Sequence, residues 1–386
     1  MGCLKVLINF LVFLIVLFLS FLGLFVCGLS NFFLGVYLFE WDFFALKFSV
    51  FFGRVLFSLI LLLITLSVMV FGSYYLNREL NFTYYSLVLL VFVGSMFMLC
   101  YRNSVFTMML SWDLLGVSSF FLVLYYSNWD RNSGAINTAL TNRLGDFFIF
   151  VFFSGSLFGV YYFFSYRLMV NGLFFLLVLS AFTKRAQFPF SSWLPKAMSA
   201  PTPVRSLVHS RTLVTAGLIL LMNFYFLVLN MYVMVLLLLI GLFTIFFSSL
   251  VALYEEDMKK VVALSTLSQM GFIMLTLGFG MHFVSFFHLL SHALFKSCLF
   301  MQVGYLIHRS FGQQDGRFYG GHGGLSFFMQ LQLLVTLFCL CGLVFTSGMV
   351  RKDLILEFFF VNYYCFFLFL LFVFSIFLTF CYSYRL

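Results

Sequence analysis

The sequence predicts an all-α, polytopic membrane protein of about 12–13 transmembrane helices. Three observations predict it: 64% of the 386 residues are hydrophobic and only 9% charged, apolar runs such as Leu56 to Val70 recur from end to end, and all four prolines fall in one short segment. A soluble domain carries roughly a quarter charged residues. The solvent here is lipid, where the backbone must satisfy its own hydrogen bonds.

Runs of about 18 or more largely apolar residues place spans near 4–27, 48–75, 83–100, 104–126, 141–164, 170–188, 204–229, 231–253, 260–279, 283–307, 327–346 and 352–384, the last long enough for two helices or one broken helix. The first run has no small-residue cleavage site and is followed by further apolar segments, so it is a span and not a signal peptide. Polar breaks at Asn77 to Asn81, Asn128 to Ser133, Glu255 to Lys260 and the Gly-rich His308 to Gly324 mark the loops, none of them the size of a soluble domain. Charges of both signs occupy several loops, so Lys and Arg do not set the orientation.

The eight cysteines contain no CxxC pair and sit mainly in apolar stretches. Iron–sulfur or zinc ligation is not expected of them. The formal charge is +9, but Lys and Arg are scattered and form no basic patch. Nucleic acid is not an expected partner; the lipid bilayer is.

Pro189, Pro195, Pro201 and Pro203 lie within AQFPFSSWLPKAMSAPTPV. Each removes a backbone donor and disfavours helix at the preceding residue, so this segment is an interrupted helix or re-entrant loop, covered by protein or water. Gly342 to Gly348 marks a second interruption, just before Arg351, Lys352 and Asp353. Two interrupted segments, each beside a lysine, fit the repeated halves of a transport path.

An ionisable side chain at the bilayer centre costs roughly 2.5–3.5 kcal/mol on the insertion scale, which makes each one a candidate functional residue. Asp113, Asp146, Lys184 and His209 are such residues, as are His288, His292 and Lys296 in FFHLLSHALFKSCLF. The last three, at i, i+4 and i+8, step about 40° and rise about 6 Å per interval on a helix. They form one polar stripe, which suits a proton relay or hydrogen bonding to neighbouring helices. A metal site of the HExxH kind is disfavoured, because position 289 is Leu. Asp113 and Lys184 lie on different helices, and two readings of the pair stand open: a carboxylate that loads and unloads a proton on the lysine, or a static ion pair.

WDFFALKFSVFF, SWDLLGVSSFFLVLYY, TALTNRLGD, the proline segment followed by LVH, EEDMKKVVALSTLSQMGF, FFHLLSHALFKSCLF and TSGMVRKDLIL together resemble the antiporter-like subunits of respiratory complex I known as NADH dehydrogenase subunit 5. The match runs over roughly residues 41–357, and the ending LTFCYSYRL looks like the helix that follows in that family. The resemblance implies two inverted five-helix repeats, each with a broken helix, joined by a hydrated polar axis. N-terminal helices would occupy 1–80, the first repeat 81–229 with its break near 184–203, and the second 230–386 with its break near 342–357.

On that pattern Asp113 stands for the acidic partner and Lys184 for the pumping lysine of the first half. His209, His288, His292 and Lys296 continue the axis, Lys352 is the terminal lysine with Asp353 beside it, and Asp146 is a further supporting acid. The implied function is proton translocation across the mitochondrial inner membrane, coupled to NADH oxidation and ubiquinone reduction in other subunits. This chain would then hold no cofactor of its own, with FMN, iron–sulfur clusters and the quinone site in partner subunits. No GxGxxG joins a strand to a helix for NADH. The alternative is a subunit of a multi-subunit Na+/H+ antiporter, which shares these motifs.

The sequence departs from the family at Arg185, Arg205, Arg211 and Arg351, where serine is the familiar occupant. A guanidinium beside each pumping lysine would repel its proton. The expectation is that these codons are AGA or AGG, read as serine by some mitochondrial codes. A second departure is length: the family continues into further spans and a long lateral helix not present here, and larger relatives often have two spans before WDFF.

Overall fold

The computed structural model describes residues 2–26, 34–39, 46–50, 52–76, 79, 81–102, 104–126, 128–157, 170–207, 213–224, 230–319, 326–343, 345–361 and 366–386. Helix α1 (Gly2–Val26) is the expected first span. A hairpin that was not expected follows: β1 (Leu34–Phe39) and β2 (Leu46–Val50) pair antiparallel, with Leu34 opposite Val50 and an irregularity between Tyr37 and Phe39. A bridge from Phe48 to Arg102 ties it to the helical body. The two-residue alternation that betrays a strand is hidden where both faces are apolar.

Then come α2 (Phe52–Tyr75), α3 (Phe82–Tyr101) and α4 (Val105–Val123). Ser104 and Thr107 form a capping box that starts α4, the Ser104 hydroxyl accepting from the Thr107 amide at 3.3 Å and the Thr107 hydroxyl from the Ser104 amide at 3.4 Å. Helix α5 (Trp129–Leu157) begins well before the expected 141. Its polar first turns depress hydropathy, yet they pack against the proline segment, where Arg131 Nε donates to the carbonyl of Ser199 at 2.9 Å.

Helix α6 (Val170–Arg185) stops at Ala186, whose φ of 53° is left-handed. Beyond it lie α7 (Trp193–Lys196), a 3-10 turn over Ala197–Ser199, α8 (Thr202–Leu207) and α9 (Leu213–Asn223). The indole of Trp193 folds back to donate to the Thr183 carbonyl at 2.9 Å, satisfying a group that the interrupted helix leaves open. The proline cluster therefore marks an interruption, as expected, and α8 and α9 fall on the span expected at 204–229, of which 208–212 and 225–229 lie outside the described residues.

Helices α10 (Met231–Tyr254) and α11 (Met258–Gly278) pack backbone to backbone. A β-carbon at Gly241 would come within 2.9 Å of the Leu275 amide, and one at Gly271 within 3.0 Å of the Gly241 carbonyl. Small residues permit this approach, which is how helices associate without a hydrophobic drive between them. Helix α11 is buried along its whole apolar window and stands at the centre of the described molecule.

Helix α12 (His282–Arg309) runs unbroken, and α13 (Phe327–Cys341) ends at Gly342, in the left-handed region at φ 73°. A β-carbon at Gly348 would collide with the carbonyl of Cys339. Glycine thus shapes the second interruption as proline shapes the first. The expected long segment 352–384 is two helices, α14 (Met349–Val361) and α15 (Phe366–Arg385).

Among the described residues, α2, α3, α4, α10, α11, α12 and α15 are long and apolar enough to cross a membrane. Helices α1, α5, α6, α9, α13 and α14, which are shorter, more polar or bounded by residues outside the described set, fall on other runs where spans are expected. Among the described residues the fold is helical apart from one hairpin.

Candidate functional site

Three groups of buried polar side chains are arranged around α11. The first lies between α4, α5 and α6. The Lys184 ammonium, fully buried near the end of α6, donates to the Trp112 carbonyl at 2.8 Å and sits 4.1 Å from the centre of the Trp112 ring. Asp113, the next residue of α4, pairs instead with Arg143 of α5: Arg143 Nη1 is 3.5 Å from Asp113 Oδ1 and 3.3 Å from Asp146 Oδ2. Both carboxylates lie within electrostatic reach of Lys184, Asp146 the more strongly. No salt bridge joins Asp113 to Lys184 among the described residues, so the static ion pair considered from sequence is not formed. Arg143 stands where sequence reasoning had only two acids and a lysine.

The second group lies between α11 and α12. His288, His292 and Lys296 are all buried, so the stripe expected from their spacing faces protein. His288 Nε2 lies 3.2 Å from Gln269 Oε1, and Lys296 Nζ donates to Ser265 Oγ at 2.5 Å. The ring of His292 meets Phe295 edge to face at 5.3 Å. Gln269 and Ser265, four residues apart on α11, were missed from sequence. STLSQ inside an otherwise apolar helix was the signal that could have found them.

The third group closes the second interruption. Lys352, buried on α14, donates to the Cys341 carbonyl at 2.6 Å and to Thr379 Oγ1 of α15 at 3.3 Å. Cys341 ends α13, where the carbonyls have no helical partner and the helix dipole is negative. A cation there does what capping does elsewhere. Phe272 of α11 and Phe380 of α15 flank the ammonium, their ring centres 5.8 and 5.3 Å away. Asp353 is half-buried and forms no salt bridge among the described residues.

Helix α11 touches all three groups. Arg185, beside Lys184, reaches the thioethers of Met270 and Met274; Gln269 and Ser265 serve the second group; Phe272 borders the third. Ser268 adds a 3.0 Å hydrogen bond to Tyr382 Oη of α15. From α14, Arg351 Nη1 donates to the carbonyl of His288 at 3.2 Å, joining the second and third groups. His209 lies outside the described residues, as does Arg211.

Beside the candidate groups, a polar cavity of about 640 Å3 opens at the first interruption, lined by Arg131, Lys196, Ser199, Arg205, Asp257 and Lys259 among others. The amide of Gln187 is buried with neither of its polar atoms bonded to protein. Buried amides of that kind are the usual hosts of ordered water.

Residues 102–379 match the family described as NADH:quinone oxidoreductase/Mrp antiporter, transmembrane. NADH-ubiquinone oxidoreductase chain 5 of Caenorhabditis elegans is 67% identical over 364 residues, covering 94% of this chain and 69% of the relative. The Ascaris suum protein of that name is 66% identical over 90% of this chain and 63% of its own length. The chain thus spans about two thirds of these relatives. Among solved structures, the Mrp complex from Dietzia sp. DQ12-45-1b matches with a TM-score of 0.82 and 27% identity, over 95% of this chain and 42% of that one. An archaeal membrane-bound sulfane sulfur reductase shares the fold, with a TM-score of 0.81 at 20% identity. With its helices, its two interruptions and its sequence all of one kind, the chain belongs to the NADH:quinone oxidoreductase/Mrp antiporter family of membrane subunits, in the group of the NADH-ubiquinone oxidoreductase chain 5 proteins.

Proposed function

We propose that this chain translocates protons across the mitochondrial inner membrane as a core membrane subunit of complex I. NADH oxidation and ubiquinone reduction in partner subunits supply the energy, and those partners hold the FMN, the iron–sulfur clusters and the quinone site. Residues 81–229 and 230–386 act as the two inverted repeats, each offering a half-path that begins at its interrupted helix.

One observation carries the reading. Among the described residues three lysines are buried, each held by a neutral acceptor: Lys184 by a peptide carbonyl, Lys296 by a serine hydroxyl, and Lys352 by a carbonyl and a threonine hydroxyl. A direct ion pair would hold the proton on an amine. Neutral acceptors leave it free to go. In the first group Arg143 draws the carboxylate of Asp113 to itself. A shift of Asp113 or Asp146 toward Lys184 would bind a proton there, and a shift back toward Arg143 would release it. Lys184, the Gln269–His288 pair, Lys296 and Lys352 are the stations along which protons move, with Asp353 at the exit.

The test is Lys184→Met in the complex of a close relative, comparing protons moved per electron with NADH:quinone electron transfer. The expected result is fewer protons per electron in the assembled complex. An unchanged ratio would mean that the chain only braces its neighbours. A second reading, a subunit of a multi-subunit Na+/H+ antiporter, is favoured by the Dietzia match. Genomic neighbours that encode an antiporter, and sodium-dependent exchange in vesicles, would select it.

A further inference from the structure

Two sets of the described arginines contrast. Arg143 bridges Asp113 and Asp146, and Arg317 pairs with Glu256. Arg102, Arg185, Arg205 and Arg351 are instead buried, at 5%, 0%, 2% and 7% exposure, and form no salt bridge among the described residues. Arg185 reaches two thioethers, poor acceptors, and its Nε has no partner. Arg205 leaves Nε and Nη1 without partners, Arg351 leaves Nη2, and Arg102 leaves Nη1. The neutral amide of Asn223, turned over, is the acceptor for the rest of Arg102.

A guanidinium does not escape burial by losing its proton, as a lysine does. Burying it without a counter-charge is only partly offset by neutral acceptors, such as the carbonyls of Ser347 and His288 that take two of the donors of Arg351. Serine, by contrast, has a settled place in these helices. Ser58, Ser95, Ser111, Ser180 and Ser265 each donate to the carbonyl three residues back. A serine at 185, 205 or 351 would find the carbonyls of Phe182, Thr202 and Gly348 in the same relation. At 185 the arginine stem lies over Gly217, where a β-carbon would come within 2.8 Å of Arg185 Cγ.

We propose that positions 102, 185, 205 and 351 are serine in the protein as it is made, from AGA or AGG codons translated by a mitochondrial code. Position 102 enters on structural grounds alone, since it lies away from every pumping lysine. At 185 the exchange has a further consequence. It clears the space between α6 and α11, one residue from Lys184 and beside Met270, which follows Gln269 in sequence. Room for water in that space would join the first polar group to the second.

The codon explanation rests on the mitochondrial reading above, whereas the identity of the side chains is read directly. Peptide mass spectrometry of the complex purified from the source organism, after trypsin, tests it. The expected result is serine masses at 102, 185, 205 and 351 with no cleavage after 102, 205 or 351, and cleavage after the ion-paired Arg143 and Arg317. Arginine at any of the four overturns the proposal, as do CGN codons there. A gene outside the mitochondrial genome would overturn the mitochondrial reading, and the peptide masses would still decide the side chains.

Discussion

The ammonium of Lys352 lies 2.6 Å from the backbone carbonyl of Cys341, so the helix after the second interruption holds the loose end of the helix before it. One side chain thereby serves the fold and carries a titratable proton. Lys352→Met removes both roles. The orphaned carbonyl costs about 1–3 kcal/mol, and proton translocation in reconstituted vesicles falls. Lys352→Arg keeps the contact but not the exchangeable charge, so it is expected to restore thermal stability without restoring translocation. Recovery of both with arginine would show that capping is the whole role of Lys352.

Arg143 sits between two carboxylates while largely open to the outside. Asp146 is buried, so removing its cation is destabilising, and Arg143→Gln is read on the fraction of the complex that assembles on native gels. The proton yield per electron is expected to drop severalfold, because Asp113 and Asp146 lose the cation that draws them off Lys184. Arg143→Lys should recover part of the yield. Normal translocation by the glutamine variant would remove Arg143 from the path.

Gln269 Oε1 lies 3.2 Å from Nε2 of the His288 ring. Gln269→Leu keeps the bulk of the side chain and removes the acceptor. Assembly is expected to survive and translocation to slow, with electron transfer slowing alongside where the two are tightly coupled. Rates equal to those of the native complex would make the Gln269–His288 contact incidental.

Gly271 admits α10 to within backbone contact of α11. Gly271→Leu forces the pair apart, and overpacking of this kind costs about 1–3 kcal/mol. Less assembled subunit and a lower melting temperature of the complex are expected. Gly94→Ala on α3, where a β-carbon meets no atom within 4 Å, is the neutral control.

The interruptions were legible because proline and glycine act on the backbone itself: Pro189 to Pro203 and Gly342 to Gly348 fall where the helices stop. The titratable residues were legible because a charge in an apolar run needs a reason, and Lys184, His288, His292, Lys296 and Lys352 are indeed buried. Partners were not. Nothing in the spacing of Asp113 and Lys184 shows that Arg143 takes the first and the Trp112 carbonyl the second. Ser265 and Gln269 went unnoticed because neutral polar residues carry a small insertion cost and are ordinary in membrane helices. The β1–β2 hairpin escaped because a chain this rich in Leu and Phe gives strand and helix the same pattern.

Asp113 is the ninth residue of α4, about 12 Å along a helix of 19 residues, and its carboxylate and the Arg143 guanidinium are 40% and 60% exposed. Oily acyl chains solvate neither ion. The flank where α4 meets α5 is therefore a seam, and the assembled complex must press another polypeptide, or a strip of trapped solvent, against it.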